Sequence, residues 1–416
     1  SDKKLPKEVF IMDRDPRNMS ISRRGLLGGA AVLGGAALIA NSRSQAAEEN
    51  SPNAGLPAGV PLRVKPALVY HIMTRAEKTS WRSYGGSRTQ ADIDQEARQI
   101  SDELKKLVAE ADFPIEMLPL AMVAGEKDAK AVADCACDVI LVYACSGERG
   151  WLELIAASKK PNIMFVRHKS GQVYFWYETA HWWFLRKLTD EIQEPNMTIN
   201  DIVVDDLAEV TWRLRALYGL KNTRGTKCVA IGGLQSYSKS GQERGPEYAR
   251  DVWGFDIIVV PDTEVSQRIQ KARADEMLAK EAQKRADELI SQPGVTLRTD
   301  KKFVFNSFLA ITVFKEIMKE KGAMNLGVAN CMGSLISLLD TPPCLVLAML
   351  NDEGFTAFCH TDFTHTPPGI LLRWISGKPS FICNSHYPHG GVVTLAHCAA
   401  PRRMNGKDHE PTAIMT

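Results

Sequence analysis

Side chains that bind metal ions and transfer protons are concentrated near the end of the chain, between Cys331 and Cys398. This stretch holds five of the nine cysteines and five of the nine histidines, together with Asp352, Glu353 and Asp362. Thiol, imidazole and carboxylate groups are the ones that proteins use as metal ligands and as general acids and bases. We therefore expect part of any chemistry to take place here.

The same stretch carries an ordered series of short motifs. Cys344 follows Cys331, and after an apolar run come NDEG (351–354), AFCHTD (357–362), SGKP (376–379) and AHC (396–398). This order resembles the C-terminal part of the L-fucose isomerase family and of its L-arabinose isomerase relatives.

The resemblance implies an aldose–ketose isomerase with a divalent metal, typically manganese, held by a Glu, an Asp and a His. The carboxylates of that site also transfer protons. Carried over position by position, the Asp falls on Asp362, as metal ligand and catalytic group, and the His falls on His397. The Glu position is Ser337 here, and a second acidic position is His360. A serine hydroxyl is a weak ligand for a hard cation and a weak base near neutral pH.

The serine at this position leaves three functions open. The first is a sugar isomerase in which a divalent cation, Mn²⁺ by the resemblance, acidifies the proton that moves between C1 and C2 of the sugar. Asp362 and His397 would hold that metal, with a substitute ligand from among His360, His365, Glu353 and Asp352. The second is a related enzyme with different chemistry on a carbohydrate. The third is a non-catalytic carbohydrate-binding descendant of the fold, which the loss of the family's Glu favours.

Short apolar runs alternate with helical patterns from residue 67 onward, which predicts an α/β fold with parallel sheets. Strands are predicted at 67–73, 115–123, 138–143, 161–167, 202–204, 228–233, 255–260, 325–330, 355–359, 380–383 and 392–397. Helices are predicted at 90–111, 206–218, 263–291, 301–322, 345–350 and 366–375. We assign Rossmann-like parallel-sheet domains to residues 65–225 and 226–325. By resemblance, an α+β domain of the fucose isomerase type covers residues 326–416.

Ligands of parallel sheets bind at the carboxyl ends of the strands. The loop after the first strand carries Arg75 and Arg82, which we predict to bind substrate, with a solvated surface loop as the alternative. The aromatic segments at 175–177 and 181–184 include Trp176, whose indole is suited to stacking on a sugar. Aromatic residues at helical spacing more often form a core or a subunit interface, so this second interpretation stays open.

Residues 1–46 have the pattern of a twin-arginine signal peptide. A polar segment precedes Arg23 and Arg24, a Gly/Ala-rich apolar run extends to Ala40, and residues 44–46 (SQA) resemble a cleavage site. Residues 47–64 are predicted to be a linker. We therefore predict export to the periplasm through the twin-arginine translocon, a route that carries folded proteins and so permits metal loading beforehand.

The composition gives further indications about partners. A net charge of +2 does not indicate a nucleic-acid partner. The family forms multimers, which implies a homo-oligomer that acts on a small carbohydrate.

The nine cysteines follow no repeated CxxC framework, so we interpret most of them as buried thiols and leave one or two disulfides open.

Overall fold

The structure, a computed structural model, describes residues 59–72, 77, 87–384 and 386–415. Within these residues the strands form two larger parallel β-sheets, and helices connect them along the chain. The predicted α/β class with parallel sheets is therefore confirmed.

The first sheet takes its elements from residues 62–223. They are β1 (Leu62–Val69), α1 (Gln90–Glu110), β2 (Ile115–Met117), β3 (Ala121–Val123), α2 (Glu126–Ala133), β4 (Val139–Ala144), α3 (Arg149–Ala156), β5 (Asn162–Val166), α4 (Phe175–Thr179), β6 (Ile202–Val204) and α5 (Leu207–Thr223). A π-helical turn at Ala180–Leu185 and a 3₁₀ turn at Ile199–Asp201 lie between α4 and β6.

The second sheet and its helices follow. Their elements are β7 (Lys227–Ile231), α6 (Lys239–Trp253), β8 (Asp256–Val260), α7 (Asp262–Ala274), α8 (Glu276–Ser291), β9 (Val295–Leu297), α9 (Lys301–Lys321), β10 (Asn325–Val328), α10 (Ser334–Leu339), α11 (Cys344–Asp352), β11 (Thr356–Phe358), α12 (Thr366–Ser376) and β12 (Thr412–Ile414).

The first sheet has the strand order β2–β1–β4–β5–β6, and β3 also pairs with β1. All residues of β4 are buried, as expected for a continuous apolar run in a parallel sheet covered on both faces. The single strand predicted at 115–123 is wrong, because β2 and β3 are separate strands. Pro119 lies between them, and a proline has no N–H to donate to a neighbouring strand.

The second sheet has the order β11–β10–β7–β8, with every pair parallel. β10 begins at Asn325, where the sequence suggested a boundary between domains, and β11 lies beyond it. The sheet thus joins strands from both sides of that boundary. The short strands β9 and β12 form a separate parallel pair.

Helix α12 links the last part of the chain to the first half. It packs on α5, where a Cβ on Gly219 would come within 2.5 Å of Ile375 Cγ1, so glycine allows the two helices to approach closely. Arg215 in α5 donates from its guanidinium to the carbonyl oxygen of Ile375 at 2.9 Å. Helix α12, which follows β11 of the second sheet, is thereby anchored to the first half of the molecule.

Other predicted elements need correction. The long helix at 263–291 is divided in two, because the Asp275 side chain accepts hydrogen bonds from the backbone of Met277 and Leu278 and starts a new helix there. The strands predicted at 380–383 and 392–397 are wrong. Among the described residues from 380 to 397 the chain has only an isolated bridge, between His389 and Val392. The apolar side chains of Val392, Val393 and Leu395 face solvent instead of a neighbouring strand.

Several predictions concern residues outside the described part of the chain. The signal peptide at 1–46, most of the linker at 47–64, Arg75 and Arg82 belong to this group. At the end of the predicted linker, strand β1 already begins at Leu62. Among the described residues, no helix has both the length and the apolar character needed to span a membrane.

Candidate functional site

The carboxyl end of the second sheet brings together loops from three strands. The strand order changes direction between β7 and β10, and such a switch point opens a crevice at the sheet edge. After β7 the chain turns through Gly232 and Gly233, whose φ angles are +77° and +109°. A Cβ on Gly232 would lie 2.8 Å from Asp262 Oδ1, so glycine fits both the angle and the space.

Gln235 connects the three loops. Its backbone N–H donates to Thr361 Oγ1 at 2.7 Å, and its side-chain oxygen accepts from the N–H of Asn330 at 2.6 Å. Its carbonyl oxygen lies 3.0 Å from His360 Nδ1. Since a carbonyl can only accept, this ring nitrogen carries the proton. One residue thus fixes the loops after β7, β10 and β11 relative to each other.

Asp362 is buried, and both of its carboxylate oxygens are engaged. Oδ2 accepts from the Ser236 hydroxyl at 2.5 Å and lies 3.4 Å from His365 Nδ1. Oδ1 accepts from the Thr364 N–H at 2.8 Å and from its hydroxyl at 2.6 Å. Burial acts to raise the pKa of Asp362, but the hydrogen bonds from Ser236 and Thr364 outweigh it and hold the pKa below its usual value.

An exposed aromatic ring lies over this buried polar layer. The Tyr237 residue is 82% exposed, and its ring lies 4.0 Å, centroid to centroid, from the ring of His360. His360 is buried, which lowers its pKa and keeps the imidazole neutral near pH 7. The three loops also carry exposed polar residues: Gln235, Asn330, Thr364 and His365.

His397 makes its contacts with a different set of groups. Its Nδ1 accepts from the N–H of Ala399 at 3.1 Å, so the neutral ring carries its proton on Nε2, which lies 3.3 Å from Cys359 Sγ. Burial lowers the pKa of this imidazole as well. The hydrogen bonds of Asp362 and His397 share no partner, although both residues lie near the end of β11.

Two of the predicted substitute ligands, Glu353 and Asp352, interact with other groups in the structure. Glu353 forms ion pairs with Arg285 and Lys315, and the Asp352 carboxylate accepts from the backbone N–H groups of Arg402 and Arg403. Ser337, at the family's Glu position, is exposed on α10.

A metal site would need several of these donors at one point. Within the described ranges, no three His, Cys, Asp or Glu side chains form a group that could hold a metal ion. The donors therefore do not fit the predicted metal as they stand, because the Asp362 oxygens are already occupied by hydroxyl and amide hydrogens. The manganese site stays a prediction, and we derive no reaction step through it.

Trp176 belongs to an aromatic cluster in the interior. It is 0% exposed, and its ring lies 5.5 Å from the ring of Trp183 and 6.4 Å from that of Phe184. In this structure its indole face is covered by other side chains, which supports the core interpretation over sugar stacking.

The structure gives Asp362 a local role that can be tested. Asp362→Ala is expected to lower the free energy of unfolding by about 1–2 kcal/mol, because Ser236 and Thr364 lose their acceptor next to the start of α12. Asp362→Asn keeps an acceptor for Thr364 and should lose less. Urea unfolding monitored by circular dichroism measures both variants. Equal losses in the two variants would contradict this role.

Sequence reasoning did not single out Gln235, Tyr237 or Asn330. The available signal was the apolar strand ending in two glycines, followed by a polar loop, which marks a strand's carboxyl end. That pattern indicates a loop at the edge of the sheet, but it does not tell which side chains of the loop meet the loops after β10 and β11. Those contacts span 95 and 126 positions in the sequence.

Comparisons with known proteins identify no relative of this chain. No protein-family model matches the chain, and no curated protein matches it. The likeness to the L-fucose isomerase family therefore rests on the motifs between residues 331 and 398.

Proposed function

We propose that this chain is an exported protein of the fucose isomerase type that binds a carbohydrate, without a metal, at the carboxyl end of its second sheet. The observation that carries the proposal is Tyr237, an exposed ring held against a buried histidine at the switch point of a parallel sheet. The twin-arginine pattern supports the export to the periplasm.

The chemistry of the edge suits a polyhydroxylated ligand. The apolar C–H face of a sugar ring packs against an aromatic ring, while its hydroxyls need both donors and acceptors. Exposed amide, hydroxyl and imidazole groups in the same three loops can provide these, on Gln235, Asn330, Thr364 and His365. The hydrogen bonds through Gln235 hold the loops in place beforehand, which lowers the entropy lost on binding.

A metal-dependent aldose–ketose isomerase is the second candidate. One observation favours it. The ring of His397 contacts Cys359, three positions before Asp362, so both residues of the family's motif lie near one strand end. The exposed Ser337 and the fully engaged carboxylate of Asp362 favour the metal-free proposal instead.

A binding experiment separates the two candidates. The folded protein is treated with a chelator and titrated with a panel of aldoses and ketoses by calorimetry, then again with added Mn²⁺. We expect saturable binding of at least one sugar that is unchanged by chelator or Mn²⁺, with no aldose–ketose conversion. Binding that requires Mn²⁺ and is accompanied by conversion would replace the proposal with the isomerase. Failure to bind any sugar in either condition would overturn the proposed function.

A further inference from the structure

Two cysteines distant in sequence meet at the surface of the second half of the molecule. Cys344 is the first residue of α11, and Cys398 lies in the irregular segment that precedes β12. Their Sγ atoms are 3.2 Å apart, although 54 positions separate them in the chain. A disulfide has an S–S distance of about 2.0 Å, so a shift of roughly 1 Å brings these sulfurs to bonding distance.

The pair is open to small molecules. Both cysteines line a pocket of about 300 Å³ whose other walls include Met332, Leu345 and Ala348. Cys398 is exposed and Cys344 is partly exposed. A small disulfide can therefore approach the sulfur of Cys398 without any unfolding of the core.

We propose that Cys344 and Cys398 form a disulfide when the folded chain meets a small-molecule disulfide oxidant such as oxidised glutathione. The inference stands on the sulfur–sulfur contact and on the pocket, and it does not depend on the carbohydrate-binding proposal. It gives this chain a covalent modification site in a segment that has little regular structure.

The reaction follows ordinary thiol–disulfide exchange. The Cys398 thiolate attacks one sulfur of the oxidant, the S–S bond of the oxidant breaks, and one glutathione thiolate leaves. The Cys344 sulfur then attacks Cys398 in the mixed disulfide and releases the second glutathione. Two electrons pass from the protein to the oxidant, and the two thiol protons end on the two glutathione molecules.

The environment of Cys344 supports this order of attack. Burial, together with the neighbouring Cys398 thiol, raises the pKa of Cys344 to about 12, so its thiolate is scarce near neutral pH. The exposed Cys398 is the group that meets the oxidant first. Once the disulfide forms, neither sulfur carries an ionisable proton.

The bond would have a consequence for the neighbouring histidine. His397 directly precedes Cys398, and its Nδ1 lies 3.7 Å from the Cys398 sulfur. A link from Cys398 to α11 fixes this part of the chain to a helix whose buried residues include Val346, Leu347 and Leu350. Oxidation should therefore slow amide hydrogen exchange in residues 396–400 and leave the exchange of the first sheet unchanged.

The test uses the whole chain, reduced and then freed of reductant under nitrogen. Part of it is incubated with oxidised glutathione, free thiols are alkylated in denaturant, and the protein is digested without reduction for mass spectrometry. We expect two fewer alkylated thiols than the nine in the sequence, and a linked peptide pair containing Cys344 and Cys398. Cys398→Ser should lose that pair.

A matched control lies in the same cluster. The Cys331 thiol contributes to the raised pKa of Cys344, so it lies near the pair. Cys331→Ser should keep the linked pair if the contact between Cys344 and Cys398 alone is responsible. Two other results would overturn the proposal. One is a stable glutathione adduct on Cys398 or a cross-link between chains. The other is that both thiols resist oxidation until a metal chelator is added. That result would mean that the cysteines bind a metal ion through their thiolates.

Discussion

Tyr237→Ala is expected to weaken carbohydrate binding by roughly 30-fold, which corresponds to about 2 kcal/mol, the scale found for aromatic residues at the centre of binding sites. The reason is that Tyr237 is exposed in the free protein and its ring already packs against His360, so a ligand covers the ring without ordering it. The measurement is calorimetric titration with the sugar that binds best to the unaltered protein.

A control variant is available on the neighbouring helix. Tyr248 is also exposed, at 55%, but it lies within α6, eleven positions after Tyr237 in the chain. Tyr248→Ala should leave the affinity within about twofold of the original, since it removes a similar exposed ring from outside the site. If both variants bind equally well, or if Tyr237→Ala binds as tightly as the unaltered protein, the site has been placed wrongly.

Arg167→Met is expected to cost about 3–5 kcal/mol of the free energy of unfolding, the range for breaking a buried ion pair from one side. The Arg167 side chain is 0% exposed and lies between Glu96, at 2.8 Å, and Glu103, at 2.7 Å. The Tyr174 hydroxyl donates to Glu96 at 2.6 Å in the same network. Removing the guanidinium leaves the Glu96 carboxylate buried without its cation. Urea unfolding measures the loss.

A surface arginine with a similar number of acidic partners serves as the control. Arg268 pairs with Glu264 and Glu320 but is 26% exposed, so Arg268→Met should cost less than about 1 kcal/mol, because water screens the charges. Adding Glu96→Gln to Arg167→Met should recover part of the loss, since the uncompensated charge disappears. A loss below that of Arg268→Met would contradict the role given to the buried network.

The candidate site shows what sequence reasoning could and could not reach. The motifs identified Asp362, His360 and His365 as polar residues after a strand, and the structure places them together at the end of β11. The motifs also paired Asp362 with His397, but the two side chains have different neighbours in the structure. Spacing along the chain predicts which residues follow a strand. The direction in which each side chain points depends on the loops that pack over it.

The distinction between core and surface was also incompletely encoded. The aromatic run around Trp176 was compatible with a sugar platform or a core, and packing by Trp183 and Phe184 places it in the core. Tyr237, in a loop without aromatic clustering, has the exposed ring instead. Local composition does not determine burial, because burial depends on which elements cover a residue.

The sequence by itself determined the α/β class and most of the helices and strands, because apolar periodicity is a local property. Helix α1 at Gln90–Glu110 and strand β6 at Ile202–Val204 closely follow their patterns. The tertiary structure alone decided that 392–397 forms no strand, because a strand requires a partner edge. It also decided that β10 and β11 complete the second sheet and that Gln235 joins three loops. These outcomes depend on contacts between residues about a hundred positions apart, which no local pattern records.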